Sequence, residues 1–249
     1  MRILLVADLH YTLPQLDWLV GAASQFDLVV MAGDHLDISS AVPLESQIVV
    51  IDRYIELLRA VVPVAVSSGN HDLTGPDAAG EQCASWLDRV RAPGVVADGD
   101  SMLIDDTLIT VCPWWDGEVG KQAVAAQLAR DGARRPHRWV WVYHWPPATS
   151  PTSWTGRSHY GDADLVDWVG RHRPDVVLTG HVHQSPFTAA GGWADRIDDT
   201  WIFNAGRQIG PVPARVEIDL AEGTAHWMSL LGVEAQVLAD RVPAPRSVF

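Results

Sequence analysis

At 249 residues, nearly half of them apolar and with glycine and proline in ordinary amounts, the chain is expected to form a well-packed globular protein, which excludes disordered and fibrous classes. Its 18 basic residues stand against 31 acidic ones, a net charge of −13, so the surface repels a nucleic-acid backbone and double-stranded nucleic acid is not an expected partner. Two cysteines outside any C-x-x-C pair offer no disulfide framework, the apolar run Ile3–Ala7 is too short for an export signal, and no stretch nears the ~20 apolar residues of a membrane span, so a soluble, cytoplasmic protein is expected.

Ile3 to Ala7 reads as a fully buried strand and runs straight into Asp8-Leu9-His10. Leu16, Leu19, Val20 and Ala23 carry helical spacing. Leu28 to Ala32 is a second buried strand leading into Gly33-Asp34-His35-Leu36-Asp37, and Ile48, Ile51, Ile55 and Leu58 mark a longer amphipathic helix. Val64 to Val66 makes a third strand, which ends in Ser67-Ser68-Gly69-Asn70-His71-Asp72. This alternation predicts right-handed parallel crossovers, in which ligands gather beyond the carboxyl ends of the strands.

Past a helix expected near Glu81–Val90, short strands at Val95-Val96, Met102–Ile104 and Thr107–Val111 predict a meander with Asp105-Asp106 as a turn. A helix over Lys121–Arg130 follows. The basic cluster Arg130, Arg134, Arg135 and Arg138 reads as a solvated connection rather than a nucleic-acid site. Trp139–Tyr143 forms a buried strand that delivers His144-Trp145, and a Pro-rich loop runs to about Gly161. A helix around Leu165, Val166 and Val169 leads to the strand Val176-Val177-Leu178, which releases Gly180-His181-Val182-His183.

In an extended chain residues i and i+2 share a side, so both imidazoles can face one pocket as ligands of a divalent transition metal. A surface turn that happens to hold two histidines is the alternative. Strands at Thr200–Phe203, Ala214–Leu220 and Thr224–Leu230 complete the chain, the last two joined through Glu222-Gly223, with a loosely held tail from Arg241. A single domain over residues 1–249 is expected.

Five strand ends thus offer ligands: Asp8 with His10, Asp34, Asn70, His144, and His181 with His183. The order D-x-H, G-D-x-x-D, G-N-H-D, H, G-H-x-H resembles the calcineurin-like metallophosphoesterase family, over Asp8 to His183. The resemblance implies an α/β fold, a four-layer α/β/β/α sandwich of two mixed β-sheets flanked by helices. It also implies a binuclear metallophosphoesterase. Asp8, His10, Asp34 and His183 would hold one divalent ion, and Asp34, Asn70, His144 and His181 the other. Asp34 would bridge them, since two close cations need an anion between them, beside a bridging hydroxide that attacks phosphorus. Mixed nitrogen and oxygen donors suit manganese, iron or zinc better than magnesium or calcium, and the family's habit favours Mn²⁺ and Fe²⁺/Fe³⁺.

By the same resemblance His71 assists the leaving group, and Asp37 orients His71, with a helix N-cap before Ile38 as the alternative for Asp37. Asp72 is expected to support the site rather than act in it. Trp145 and Trp115, with Trp114 and Trp154 nearby, offer stacking surfaces for a flat substrate group, core packing being the alternative, and Arg207 is a candidate phosphate contact. His35 and His159 could reach the pocket rim but are expected to be solvent-exposed, and Cys83 and Cys112 buried as small hydrophobes. A small phosphodiester, nucleotide-like or otherwise, is the favoured substrate. A phosphomonoesterase, a nuclease and a non-catalytic metal-binding scaffold are the alternatives. A nuclease usually brings a basic surface, and a scaffold usually lacks ligands that are all present here.

Overall fold

The computed structural model describes residues 1–135 and 137–239, so the tail expected from Arg241 lies outside the described residues. Strands β1 (Arg2–Val6), β2 (Leu28–Ala32) and β3 (Val64–Ser67) are linked by helices α1 (Leu13–Ala22) and α2 (Leu44–Arg59). They lie parallel and in register, Leu5 opposite Val30 and Val30 opposite Ala65. A small hairpin of β4 (Gly75–Pro76) and β5 (Gln82–Cys83) precedes β6 (Val95–Ala97), which joins beside β3.

The chain then builds a second sheet from β7 (Ser101–Ile104), β8 (Thr107–Val111), β9 (Arg138–Val142), β10 (Val176–Thr179), β11 (Ala194–Ile197) and β12 (Thr200–Asn204), in the order β11-β12-β10-β9-β8-β7. Helices α3 (Glu118–Gly132) and α4 (Ala163–His172) are its crossovers. Three antiparallel strands, β13 (Arg215–Asp219), β14 (Thr224–Ser229) and β15 (Gly232–Val237), return to the first sheet and complete the order β15-β14-β13-β1-β2-β3-β6.

Side chains alternate across a strand, so a strand buried on both faces must be apolar throughout. That is why β1 reads as an unbroken hydrophobic run. Ile3 and Leu5 enter a central core with Val30, Ile109, Val140, Val142, Leu178 and Phe203, which cements the two sheets face to face. Leu4 and Val6 point the other way and pack with Leu16, Leu19, Ile51 and Ile55 of α1 and α2. On the far side Trp139, Trp141, Val177 and Ile202 meet Val124 and Leu128 of α3 and Leu165 and Val169 of α4. Four layers result, helices outside and two mixed sheets within.

The helix expected near Glu81–Val90 is a correction. Only Ser85–Arg89 wind, as a short 3₁₀ turn, while Gln82 and Cys83 are extended in β5. Tertiary bonds draw this segment out. The Thr74 amide donates to the Cys83 carbonyl at 3.0 Å. The Glu81 carboxylate accepts the first-turn amides of α3, Val119 at 2.8 Å and Gly120 at 2.7 Å. Such a cap satisfies orphan donors that the helix itself cannot. Strand β15 was not expected; it pairs along all of β14.

Candidate metal centre

The carboxyl ends of β1, β2, β3, β9 and β10 all open on one edge of the sandwich, and each is followed within a few residues by a polar side chain: Asp8, Asp34, Asn70, His144 and His181. Backbone bonds lash these turns together. The Asp8 amide donates to the Gly33 carbonyl and the His10 amide to the Asp34 carbonyl, both at 3.0 Å, and the Gly180 amide donates to the His144 carbonyl at 2.9 Å. Asp8, His10, Asp34 and His181 all have positive φ, 55°, 42°, 55° and 67°. Non-glycine residues hold that conformation only where the surroundings impose it, and such strain clusters at functional sites. Two motif glycines answer to close approach. A Cβ on Gly33, itself at φ +86°, would strike His144 Nδ1, and one on Gly69 would strike Asp34 Oδ1.

Two groups of donors converge. Asp8, His10, Asp34 and His183 each present an atom within 4.8 Å of the others, and Asp34, His144 and His181 do the same, so Asp34 belongs to both. His183 Nε2 lies 3.2 Å from Asp8 Oδ1 and 3.1 Å from His10 Nε2. His10 Nε2 is 3.7 Å and His144 Nε2 3.4 Å from Asp34 Oδ2. His144 Nδ1 sits 2.6 Å from the Ala32 carbonyl, which selects the tautomer with its proton on Nδ1 and aims the Nε2 lone pair at Asp34.

The residues fit a pair of cations on an independent ground. His144 Nε2, His181 Nε2 and Asn70 Oδ1 are buried and have no hydrogen-bond partner among the described residues. Buried polar atoms are rarely left so, and the two imidazole nitrogens share a donor group with the buried Asp34 carboxylate, a set that suits a transition-metal ion.

The electrostatics agree. Burial pushes the Asp34 carboxyl up, but the facing His144 imidazole and the His71 amide, which donates to Asp34 Oδ1 at 2.9 Å, hold it well below the usual carboxylate range. Burial alone would lower His144, yet the Asp34 carboxylate pulls it up to about 9, so a proton competes for the lone pair a cation would take. Burial brings His10 down to about 4 and His181 down to about 3, which keeps both imidazoles neutral and able to ligate.

Asp72 organises the floor. Its Oδ2 accepts the amides of Asp34 and Gly69, both at 2.8 Å, and its Oδ1 those of His35 at 2.9 Å and Leu36 at 3.0 Å. One fully buried carboxylate thereby ties the turn after β2 to the turn after β3. Asn204 plays the same part for the histidine turn. Its Nδ2 faces the carbonyls of Thr152 at 2.9 Å, Gly180 at 3.0 Å and Val182 at 3.2 Å, and its Oδ1 accepts the Gly206 amide at 2.8 Å.

Among the remaining expected residues, His71 stands half-buried beside the cluster, its ring edge-on to His10 at 4.6 Å. Asp37 departs from expectation. Its carboxylate accepts the Ser39 amide at 2.8 Å in a local turn, α2 begins only at Leu44, and His71 Nδ1 is buried without a partner among the described residues. The short Asx turn satisfies Asp37 locally. Neither the bond to His71 nor the helix cap is formed.

His35 is also a correction. It is buried, with Nε2 2.8 Å from the Ser67 carbonyl and its ring edge-on to Trp86 at 6.1 Å. His159 is exposed, Cys112 is buried and Cys83 is half-buried. Arg207 is exposed at the rim; its amide donates to the His183 carbonyl at 3.2 Å and its charge reaches His10.

Trp145 and Trp114 border the His181 side of the cluster, with ring centroids 5.7 Å and 5.1 Å from that imidazole. Trp115 is one ring further out and Trp154 packs on His159 instead. Sequence reasoning passed over Tyr160, whose ring lies 5.1 Å from His181; a lone tyrosine in a polar loop carries no signal of its own.

Comparison with known proteins accords with this geometry. The family model of the calcineurin-like phosphoesterases matches residues 1–185, and the chain belongs to that family of metal-dependent hydrolases of phosphoester bonds. No curated protein sequence matches it. Among solved structures, TT1561 of Thermus thermophilus is similar with a TM-score of 0.60 at 14% identity, over 95% of this chain and 98% of that one. The purple acid phosphatase PPD1 from yellow lupin seeds is similar with a TM-score of 0.57 at 12% identity, over 96% of this chain and 52% of that one. These likenesses show the shared fold. Among the described residues no helix is long and apolar enough to cross a membrane.

Proposed function

We propose that the chain is a binuclear phosphoesterase that prefers phosphodiesters, with Asp8, His10, Asp34 and His183 around one cation and Asp34, Asn70, His144 and His181 around the other. The observation that carries this reading is the shared position of Asp34 between two donor groups, with the unpartnered Nε2 atoms of His144 and His181 in the second. Two divalent ions there would supply Lewis-acid polarisation of the phosphoryl oxygens and a water acidic enough to attack near neutral pH. Manganese or iron, with zinc as a third choice, suits this mixture of imidazole, amide and carboxylate donors.

The protein's own groups supply the rest. Asp8 and Asp34 are buried anions that offset the cationic charge. His71 would hand a proton to the departing ester oxygen, a role supported by its half-buried ring lying edge-on to His10 of the cluster. An alkoxide leaving group needs that proton, and the neutral His10 edge beside it adds no competing charge. Arg207 would meet a non-bridging phosphate oxygen, and Trp145, with Trp115 behind it, the remainder of the ester; the exposure of Arg207 beside the His183 turn and the contact of Trp145 with His181 support this. A small phosphodiester, nucleotide-like or otherwise, is the substrate this favours.

Hydrolysis of bis-p-nitrophenyl phosphate and of p-nitrophenyl phosphate, with Mn²⁺ and again after chelation, tests the reading. Turnover that depends on Mn²⁺ and favours the diester is expected. Preference for the monoester would move the assignment to a phosphomonoesterase, and bound metal without turnover of either would mark a scaffold.

A further inference from the structure

We propose that the substrate carries a planar aromatic group, seated against Trp114, Trp145 and Tyr160 on the His181 side of the donor cluster. This rests on the phosphoesterase reading and adds to it the chemical class of the ester. Three aromatic rings surround one imidazole of the site. Tyr160 lies 5.1 Å from His181 with the rings tilted by 31°, Trp114 lies 5.1 Å from it at 43°, and Trp145 lies 5.7 Å away at 63°. Trp114 and Trp145 are stacked on each other at 5.0 Å and 23°, and Trp145 meets Tyr160 at 5.7 Å. The three rings therefore form one continuous aromatic wall, and Tyr160 leaves 53% of its surface open to solvent.

The wall is held from behind. The Trp114 amide donates to Ser68 Oγ at 2.8 Å, next to the turn that carries Asn70. Trp115, which backs Trp145, donates its indole N–H to Tyr143 Oη at 2.7 Å. Tyr143 in turn donates to the buried Asp162 carboxylate, whose other oxygen caps α4 through the Asp164 amide at 2.8 Å. The loop bearing Tyr160 is tied at both ends, by the Tyr160 amide to the Ser153 carbonyl and the Asp162 amide to the Pro146 carbonyl, both at 2.8 Å.

An exposed aromatic side chain gains nothing from this rigidity in isolation. A flat ligand placed on it would bury apolar surface and stack at little entropic cost, because the wall is already ordered. His181 belongs to the donor cluster itself, so the wall stands one ring away from where an ester would bind. A saturated substituent of equal size would gain burial but not stacking. That difference separates a planar ring from mere hydrophobicity.

Isothermal titration calorimetry of the Mn²⁺-loaded protein tests the proposal with two matched pairs: phenyl phosphate against cyclohexyl phosphate, and adenosine 5′-monophosphate against ribose 5-phosphate. The aromatic member of at least one pair is expected to bind about tenfold more tightly. A larger ratio in the nucleotide pair points to a nucleobase, and one confined to the phenyl pair to an aryl ester. Tyr160→Leu and Trp145→Leu should drive the ratio toward one, while Tyr160→Phe keeps it, with circular dichroism establishing that each variant is folded. Equal affinities within both pairs, or ratios untouched by both leucine variants, overturn the aromatic seat and leave the phosphoesterase reading standing. If none of the four ligands binds and neither nitrophenyl ester is hydrolysed, the underlying reading falls as well.

Discussion

Replacing Asp72 by asparagine separates a structural carboxylate from a catalytic one. Its two oxygens accept four backbone amides, Oδ2 those of Asp34 and Gly69 and Oδ1 those of His35 and Leu36, all between 2.8 and 3.0 Å. Asparagine keeps the shape but turns one oxygen into an NH₂ group, so whichever way it flips, two buried N–H donors face another donor. Each such loss costs about 1–3 kcal/mol, for a total of about 2–6 kcal/mol. Domain stabilities run to about 5–15 kcal/mol, so the variant should still fold but with a markedly lower urea midpoint. The denaturation is best run with chelator present, because a bound ion would add its own stabilisation to the folded state. A loss smaller than about 1 kcal/mol at unchanged slope would refute the role assigned to Asp72 in joining the turns after β2 and β3.

Asn204→Leu should cost about 1–3 kcal/mol by stripping the histidine turn of its donor, and Asn204→Asp should cost more, because it sets an oxygen against the Thr152, Gly180 and Val182 carbonyls; thermal denaturation checks the order of the two. His71→Ala should slow hydrolysis of an alkyl diester by about 10²–10⁴-fold yet affect a nitrophenyl ester far less, since nitrophenolate leaves without a proton; equal losses on both would contradict leaving-group assistance. The Asp98 carboxyl, which accepts the Ser68 amide at 2.8 Å, is pushed by burial from 3.8 up to about 7. Its folded form binds a proton more readily than its unfolded form, so it favours the fold at low pH and that contribution is lost as pH rises from about 4 through about 7. At about 1.4 kcal/mol per pH unit the effect is at most about 4 kcal/mol, and Asp98→Asn should flatten this part of the stability–pH curve in urea titrations.

Much of the fold was legible because its first half obeys simple periodicities. Unbroken apolar runs at Ile3, Leu28 and Val64 belong to strands buried on both faces, and the helical spacing between them leaves only parallel crossovers. The residues that converge were legible for a related reason: each follows directly on such a run, and chain order then carries them to one edge. What could not be read is decided by tertiary bonds. The segment after Glu81 has helical composition, yet the pull of Glu81 on the α3 amides and the pairing of Thr74 with Cys83 stretch it into a hairpin. His35 looks like any polar turn residue, but the Ser67 carbonyl claims its Nε2 in the interior. Asp37 is diverted by a bond to the Ser39 amide two residues away, a local choice that a family pattern does not encode. The hub roles of Asp72 and Asn204 depend on several partners distant in sequence, and Tyr160 earns its place only through the packing of a loop.

Metal stoichiometry resolved in space is the most direct test of the central claim. Crystals of the protein soaked in Mn²⁺ and measured at the manganese edge should show two anomalous peaks flanking Asp34, one reached by His10 and His183 and the other by His144, His181 and Asn70, with Asp34→Ala removing both. A single peak, or two that leave the Nε2 atoms of His144 and His181 unligated, would contradict the account.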